Sequence, residues 1–276
     1  MKKSLALFVS LALFSQLVFS AEDRDIVGLY PFSGNKDAAA TLQAKVSNEL
    51  LKLNRVILVD KKNQTTQKQD SDAFTKSNTI GEYGKQLGAA YMLNGVISKV
   101  NVEDLSYEDK KGEKKASWSV ELSIDLSVVD VASGKILSSA TFSTTQKGKS
   151  KENCFKDIYE NIIERSIPFL SNSFPIKATI VSVTQNEKGA VDEIIINAGS
   201  VDGITKRIEF DVFEKIYMND NGQEKIMEDF VGQIKVKEVK GDDFSLCTVS
   251  SKKEAMKRIL GDPKAFIVKT TKEKVR

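Results

Sequence analysis

The sequence contains no histidine, and this absence excludes more chemistry than any residue that is present. Histidine is the side chain that most often transfers protons near neutral pH, and it is also the commonest metal ligand. Cysteine is scarce as well, because Cys154 and Cys247 are the only two, and two cysteines without a histidine do not complete a zinc site. We therefore expect no catalytic residues, no metal site, no cofactor and no enzymatic activity.

The two cysteines leave two interpretations open. In an oxidising compartment they can pair, although Cys154 falls in a predicted helix and Cys247 in a predicted strand of a different domain. Otherwise each is a small hydrophobic residue buried in its own core.

An excess of charge of one sign is also missing. The chain has 41 Lys and Arg against 38 Asp and Glu, a formal net charge of +3. Lys2 and Lys3 supply two of these positive charges and lie in a segment that we expect to be removed. The sequence therefore predicts no nucleic-acid partner and no general attraction to anionic lipid.

The N-terminal segment, residues 1–20, has the pattern of a signal peptide. Lys2 and Lys3 precede an apolar run from Leu5 to Phe19, and small residues at Ser20 and Ala21 are typical of a cleavage site. No cysteine precedes Cys154, so no lipid attachment is expected. The sequence predicts an exported periplasmic protein that is not a lipoprotein and has no transmembrane segment after cleavage.

Residues 21–170 are predicted to form an α+β domain. A strand at Asp25–Phe32, an amphipathic helix at Asp37–Leu53 and a strand at Arg55–Val59 begin a βαβ-like unit. A loop, a short helix and three alternating strands follow, and the last helix is predicted over Lys151–Phe169. The pattern indicates a mixed sheet with helices packed on it.

Residues 177–270 change to six short strands separated by Gly and Asp turns, which is typical of a small barrel or sandwich. Pro168 and Pro175 bracket the end of the preceding helix. We expect a domain boundary there and two separable domains.

Two patterns suggest catalysis but fit ordinary structure better. The glycine turn at Gly28–Lys36 precedes a helix as a phosphate loop does, yet five residues separate its glycines and Asn35 precedes the lysine. The pairs Ser33–Lys36 and Ser250–Lys253 have the Ser-x-x-Lys spacing by which a lysine activates a serine in some acyl transferases. Neither pair has a supporting motif.

The remaining polar clusters also have structural explanations. Acidic residues at the tip Glu103–Lys115 alternate with lysines, and Asp125 and Asp130 lie on the polar side of a strand, so no general acid/base pair is predicted. The segment Asn197–Gly203 looks like a ligand loop, but its glycines suit a tight β connection.

Four segments of the first domain carry a family resemblance: GLYPFSG, VILVDK, GKQLGAAYMLNG and VVDVASGKIL, at Gly28–Gly34, Val56–Lys61, Gly84–Gly95 and Val128–Leu137. They resemble the domain family of the curli-assembly component CsgG, which is related to the N-terminal domains of TolB and of outer-membrane activators of peptidoglycan synthases. The resemblance implies a mixed sheet with packed helices.

Three segments of the second domain, Asn197–Gly203, Phe210–Phe213 and Gly232–Val239, resemble the last domain of flagellar-assembly protein T. That resemblance implies a small barrel of SH3-like type.

The two resemblances imply envelope assembly or secretion. Curli-type channels are lipoproteins whose paired hairpins build a membrane barrel, whereas here Glu103–Lys115 is mostly charged and Ser138–Lys149 is mostly Ser, Thr and Lys. We therefore expect a non-enzymatic periplasmic accessory or scaffold, associated with the outer membrane, that binds other envelope proteins through sheet edges or the charged tip. The alternative is a periplasmic binding module for envelope polymer or glycan. Formation of a homo-oligomer is left open.

Shortening the charged tip should leave stability almost unchanged. Nine of the thirteen residues from Glu103 to Lys115 are Glu, Asp or Lys, so a Gly-containing turn in their place removes almost no buried apolar area. Urea unfolding should give a midpoint close to that of the parent chain. A large loss of stability would show that the tip packs against the body of the protein.

Overall fold

The computed structural model describes residues 24–59, 77–220 and 223–273. The predicted signal peptide, residues 1–20, and most of the predicted loop Lys61–Ser77 lie outside these residues.

The chain begins with a parallel βαβ unit, as the apolar spacing predicts. Strand β1 (Asp25–Leu29) and strand β2 (Val56–Val59) are parallel and are joined by helix α1 (Lys36–Leu53). The helix begins where the Asn35 side chain accepts a hydrogen bond from the amide of Ala38, and it ends at Asn54, which adopts φ 52°. Its apolar side is buried on the sheet and consists of Ala38, Ala39, Leu42, Val46 and Leu50.

A three-stranded meander completes the sheet. After helix α2 (Ser77–Leu87), strands β3 (Tyr91–Asp104), β6 (Trp118–Asp130) and β7 (Ile136–Gly148) pair antiparallel. The order across the sheet is β2-β1-β3-β6-β7, and β1 joins the meander through parallel pairing with β3. The predicted mixed sheet is thus confirmed.

The far end of the meander carries a small ribbon. Strands β4 (Tyr107–Glu108) and β5 (Lys114–Lys115) pair between β3 and β6, and all four of their residues are exposed. The charged tip is therefore exposed, and that it lies in water rather than in a membrane stays a prediction.

Helix α3 (Lys151–Ser173) covers the sheet and runs further than predicted. The sequence places its end near Pro168, but Pro168 lies inside the helix. A proline there removes one backbone hydrogen bond, at a cost of about 3 kcal/mol. The residues beyond it, Phe169, Leu170 and Phe174, are buried in the core, so their packing offsets the cost.

The remaining strands close into a barrel in the order β10-β11-β12-β9-β8-β13. The strands are β8 (Lys177–Gln185), β9 (Val191–Ile196), β10 (Glu209–Asp220), β11 (Gln223–Val239), β12 (Ser245–Ser251) and β13 (Phe266–Thr270). Closure pairs every strand on both sides over part of its length, which removes most of the open edges. The predicted α+β class with a C-terminal barrel is confirmed.

Only Phe174, Pro175 and Ile176 separate α3 from β8. Phe174 and Ile176 are buried, so the connection is short and packed rather than an open linker. We call residues 24–173 the N-terminal unit and residues 177–270 the barrel. That the two are separable domains stays a prediction.

Each unit has its own buried core, and each core contains one cysteine. Cys154 packs in the core of the N-terminal unit and Cys247 in the core of the barrel, and both are free thiols. The interpretation as two buried hydrophobic residues is therefore correct. Among the described helices, none combines the length and apolar character needed to cross a membrane.

Both thiols should be inert in the native protein. Burial raises the pKa of Cys247 to about 12, so at pH 8 only about one thiol in ten thousand is ionised. Iodoacetamide treatment followed by intact mass measurement should show no adduct in the native protein and two adducts in denaturant. The variant Ser250→Cys, at an exposed position, should gain one adduct without denaturant. Rapid native labelling of Cys247 would mean that the barrel opens readily.

Candidate functional site

The glycine turn before α1 holds the chain against its own sheet. Gly28 lies on β1 with no room for a Cβ beside Met92, and Gly34 has φ 97° beside the backbone of Ile97. The amide of Ala38 at the helix start is already bonded to the Asn35 side chain. The turn therefore has the ordinary structural role that its spacing indicates.

The serine–lysine pairs do not form a nucleophile. The backbone of Ser33 bonds to β3, donating to Gly95 and accepting from Ile97. Ser250 and Lys253 are both exposed. Within the described residues, no hydrogen bond joins the serine and lysine side chains of either pair.

The acidic residues of the tip organise turns. Asp109 accepts backbone hydrogen bonds from Lys111 (2.9 Å) and Glu113 (3.0 Å), and these bonds lower the pKa of Asp109. Asp104 accepts from the amide of Ser106 at 2.9 Å, and bonding to Ser106 lowers its pKa in the same way. A carboxyl group held ionised in water is unsuited to act as a general acid near neutral pH.

The two carboxylates on the strand, Asp125 and Asp130, also have structural roles. Asp130 accepts from the amide and hydroxyl of Ser133 at the turn before β7, and its pKa is lowered by these bonds. Asp125 accepts from the Thr141 hydroxyl at 2.5 Å. In residues 24–59, 77–220 and 223–273, no three acidic or cysteine side chains gather as a metal site would require.

The loop Asn197–Gly203 joins the barrel to the N-terminal unit. Gly203 has φ 76°, as the turn interpretation requires, and a Cβ there would lie 2.6 Å from the Leu53 carbonyl oxygen. Gly199 is not in the positive-φ region, and its reason for being glycine is the close backbone of Asp242. The Asn54 side chain donates to the Val201 carbonyl from the other side of the junction.

Other polar contacts cross the same junction. Lys177 Nζ lies 3.1 Å from Asp25 Oδ1, and the Asn172 side chain donates to the Glu273 carbonyl at 2.6 Å. Arg24 and Arg55 line the cleft between the two units together with Lys177. The junction is thus a polar cleft whose walls come from both units.

The first exposed docking surface is the outer edge of β7. Among the described strands, none pairs with this side of β7, because β7 ends the sheet order. The eleven residues Ile136–Gln146 include no charged side chain, and Ile136 and Leu137 are each 58% exposed. Edge strands are usually protected by charge, proline or a covering element, so an uncharged edge of this length favours pairing with another chain.

The second surface is an arm formed where β10 and β11 extend beyond the barrel. Five large apolar side chains are exposed on it: Tyr217, Met218, Ile226, Met227 and Phe230. The strand patterns predicted only Ile208–Ile216 and Gly232–Val239, so residues 217–231 were missed. Charged residues interrupt the alternation there, although the pair Asn221-Gly222 is a hairpin signal that could have found the arm.

The base of the arm is held to the barrel by charged side chains. Lys269 Nζ lies 2.5 Å from Glu228 Oε2, and Arg258 pairs with Glu214 and Asp229. The Phe213 and Phe230 rings meet edge to face with centroids 5.8 Å apart. The exposed outer half therefore projects from a firmly attached base.

The chain is similar in sequence to one known family. The family model described as Peptidoglycan-synthase activator LpoB matches residues 37–141, from α1 to the first half of β7. The match covers less than half of the chain and none of the barrel. No curated protein matches the chain.

Several solved structures have a similar shape over part of the chain. Lipoprotein GNA1162 from Neisseria meningitidis is 12% identical, with a TM-score of 0.38, over 51% of this chain and 96% of its own. The PelC dodecamer from Paraburkholderia phytofirmans is 13% identical, with a TM-score of 0.34, over 53% and 87%. A minor lipoprotein from Acinetobacter baumannii is 11% identical, with a TM-score of 0.28, over 55% and 90%. Structural similarities this low give no information about what this chain binds.

These comparisons correct two predictions. The assignment to the CsgG and flagellar-assembly T families is wrong, because the matching family model is that of the activator and nothing supports the other two. The prediction of a protein that is not a lipoprotein is contradicted by the match to the activator family, which is a lipoprotein family. That prediction depended only on the lack of a cysteine before Cys154. The coarser prediction of a non-enzymatic accessory role in the periplasmic envelope agrees with the activator match.

Substitution of Gly203 should weaken the junction specifically. Gly203→Ala combines positive φ with a Cβ 2.6 Å from the Leu53 oxygen, whereas Gly189→Ala has a similar φ of 70° and nothing within 4 Å. Urea unfolding should show a loss of about 1–2 kcal/mol for Gly189→Ala from backbone strain. Gly203→Ala should lose at least about 1 kcal/mol more, from the contact across the junction. Equal losses would show that the barrel moves away from α1 at little cost.

Proposed function

We propose that this protein is a non-enzymatic accessory of the cell envelope that regulates a peptidoglycan synthase by binding to it. The support for the synthase as partner is the similarity of residues 37–141 to the activator family. An activator acts by contact, so its site is a surface for another protein rather than a set of reacting groups. None of the catalytic patterns in the sequence is assembled into a site within the described residues.

The observation that carries the proposal is the open, uncharged edge of β7. A partner strand that pairs with this edge satisfies the free backbone groups, and the side chains around it decide which partner fits. Ile136 and Leu137 give the edge an apolar end, and Phe142 and α3 hold the opposite face of the strand in the core. One face of the edge strand is therefore packed on the core, while its outer side is unpaired by any described strand.

Part of the edge is already closed by the protein itself. Arg165 on α3 donates to the Ser143 carbonyl at 2.7 Å, so one outward backbone acceptor is used. Ser138–Thr141 lie on the side of this contact nearer Ile136, and they fall within the matched residues. We propose that the partner strand pairs with this half of β7.

The arm of the barrel provides a second surface on the same chain. Its apolar residues lie outside the matched residues, so the activator family does not account for them. We propose that the arm contacts protein as well, because Glu224 and Lys225 on it are charged and exposed, which disfavours insertion into a membrane.

Charge on the β7 edge should abolish regulation of the synthase. The variant Ser139→Lys/Thr141→Lys adds two lysines at exposed positions in this half of the edge, and desolvating them opposes strand pairing. The matched control Gln185→Lys/Ser250→Lys adds the same charge at exposed positions on the barrel. Glycan polymerisation by a purified synthase from the same envelope should be stimulated by the parent chain and the control, and not by the edge variant.

Binding should be measured alongside activity. The edge variant should bind the synthase at least about tenfold more weakly than the control, which corresponds to a loss of about 1.4 kcal/mol of binding free energy. Unchanged binding and stimulation by the edge variant would exclude the β7 edge. Failure of the parent chain to bind any synthase of that envelope would exclude the proposed function.

A further inference from the structure

The cleft between the N-terminal unit and the barrel holds more positive charge than its own acids neutralise by contact. Lys177 is paired with Asp25, whose two carboxylate oxygens lie 3.1 and 3.2 Å from Nζ. The carboxylate of Asp202 accepts from the Gly199 amide at 2.9 Å within its own loop. These two acids are therefore already engaged, which leaves Arg24 and Arg55.

Arg24 makes one hydrogen bond with a described residue, and its partner is neutral. Its Nη1 donates to Asn54 Oδ1 at 3.1 Å. Its Nε is buried and has no hydrogen-bond partner among the described residues. A buried donor without an acceptor costs free energy, about 1–3 kcal/mol and more in a charged group.

Arg55 is similarly placed. Its Nη1 donates to the Ser171 carbonyl at 3.1 Å, which is again a neutral acceptor. Burial of the guanidinium lowers the pKa of Arg55, and the charge of Glu273 opposes this shift only in part. Two guanidinium groups thus line one cleft, and neither is hydrogen-bonded to a carboxylate of the described residues.

A guanidinium presents its N–H groups as a planar fork that matches two oxygens of one anion. We propose that this cleft binds an oxyanion group, a carboxylate or a phosphate, with Arg24 and Arg55 as the positive ligands and Thr179 and Asn197 on the barrel wall. Both groups are common at the ends and branches of envelope polymers and in free metabolites. The shared chemistry is two oxygens on one centre carrying negative charge.

The site spans the junction, and this gives binding a structural consequence. Arg24 and Arg55 flank β1 and β2 of the N-terminal unit, whereas Thr179 and Asn197 belong to the barrel, where Asn197 Oδ1 accepts from the Thr179 amide at 2.5 Å. An anion held between them connects the two units. Bound ligand should therefore raise the unfolding temperature by mass action.

The test uses the full chain and two probes at constant ionic strength set with chloride. Sodium phosphate represents the phosphate group and sodium N-acetyl-D-alaninate the carboxylate. Calorimetric titration and thermal unfolding should show saturable binding of at least one probe. Saturation by phosphate alone or by the carboxylate alone identifies which of the two groups the cleft takes.

Substitutions then place the site. Arg24→Gln should weaken binding at least about tenfold, because a charged fork with two donors is replaced by one neutral amide. Lys253→Gln removes one positive charge from an exposed position on the barrel and should bind as the parent does. Arg24→Lys keeps the charge without the fork and should bind with intermediate affinity, and it serves if Arg24→Gln does not fold.

Equal affinities for Arg24→Gln and Lys253→Gln would overturn the proposal, because the binding would then follow net charge alone. Absence of saturable binding of both probes at millimolar concentration would overturn it too. The measurement involves no synthase, so its outcome is independent of the outcome at the β7 edge.

Discussion

The burial of strand β6 is the constraint on which the N-terminal unit depends. Its alternating side chains Val120, Leu122, Ile124, Leu126 and Val128 are at most 1% exposed. β6 lies between β3 and β7, so its backbone groups are bonded on both sides, and its apolar face packs beneath α3 in the core that also contains α1. At about 25 cal/mol per Å² of buried apolar surface, this one strand supplies a large share of the favourable free energy of folding. The parallel strands and the helices are arranged around it.

The barrel has few unpaired strand edges, whereas the N-terminal sheet ends in open ones. Six short strands close on themselves, and over the paired part of each strand no backbone group is left for an outside chain. The N-terminal sheet ends at β7 without closure, and the arm extends past the paired part of the barrel. The two proposed protein-binding surfaces are therefore the places where backbone pairing stops and apolar side chains stay exposed.

The junction connects these surfaces physically. Asn54 ends α1 and also bonds the barrel loop through Val201, and Gly203 lets that loop approach Leu53. Lys177 at the start of β8 pairs with Asp25 at the start of β1. Because these contacts are polar and line a cleft, the relative position of the units depends on groups that an anion can engage.

The sequence by itself determined the elements and their order. The 3.6-residue spacing predicted α1, the alternation predicted β6, and short segments between Gly and Asp turns predicted the six barrel strands without the arm. These features are local, because periodicity reports which side of an element is buried. The end of α3 could not be predicted from the local sequence. Pro168 by itself predicts a helix end, but the helix continues beyond it because Phe169, Leu170 and Phe174 pack in the core.

The candidate sites depended on tertiary structure almost entirely. Arg24, Arg55 and Thr179 are far apart in sequence and meet only because β1, β2 and β8 begin at one junction. That β7 is an edge follows from the strand order, which no periodicity reveals, and the arm was obscured because charged residues break its alternation. The family assignment also failed on short motifs shared by related folds. The local sequence pattern indicates which side chains are buried. A binding surface depends instead on which elements are neighbours and on which backbone groups remain unpaired.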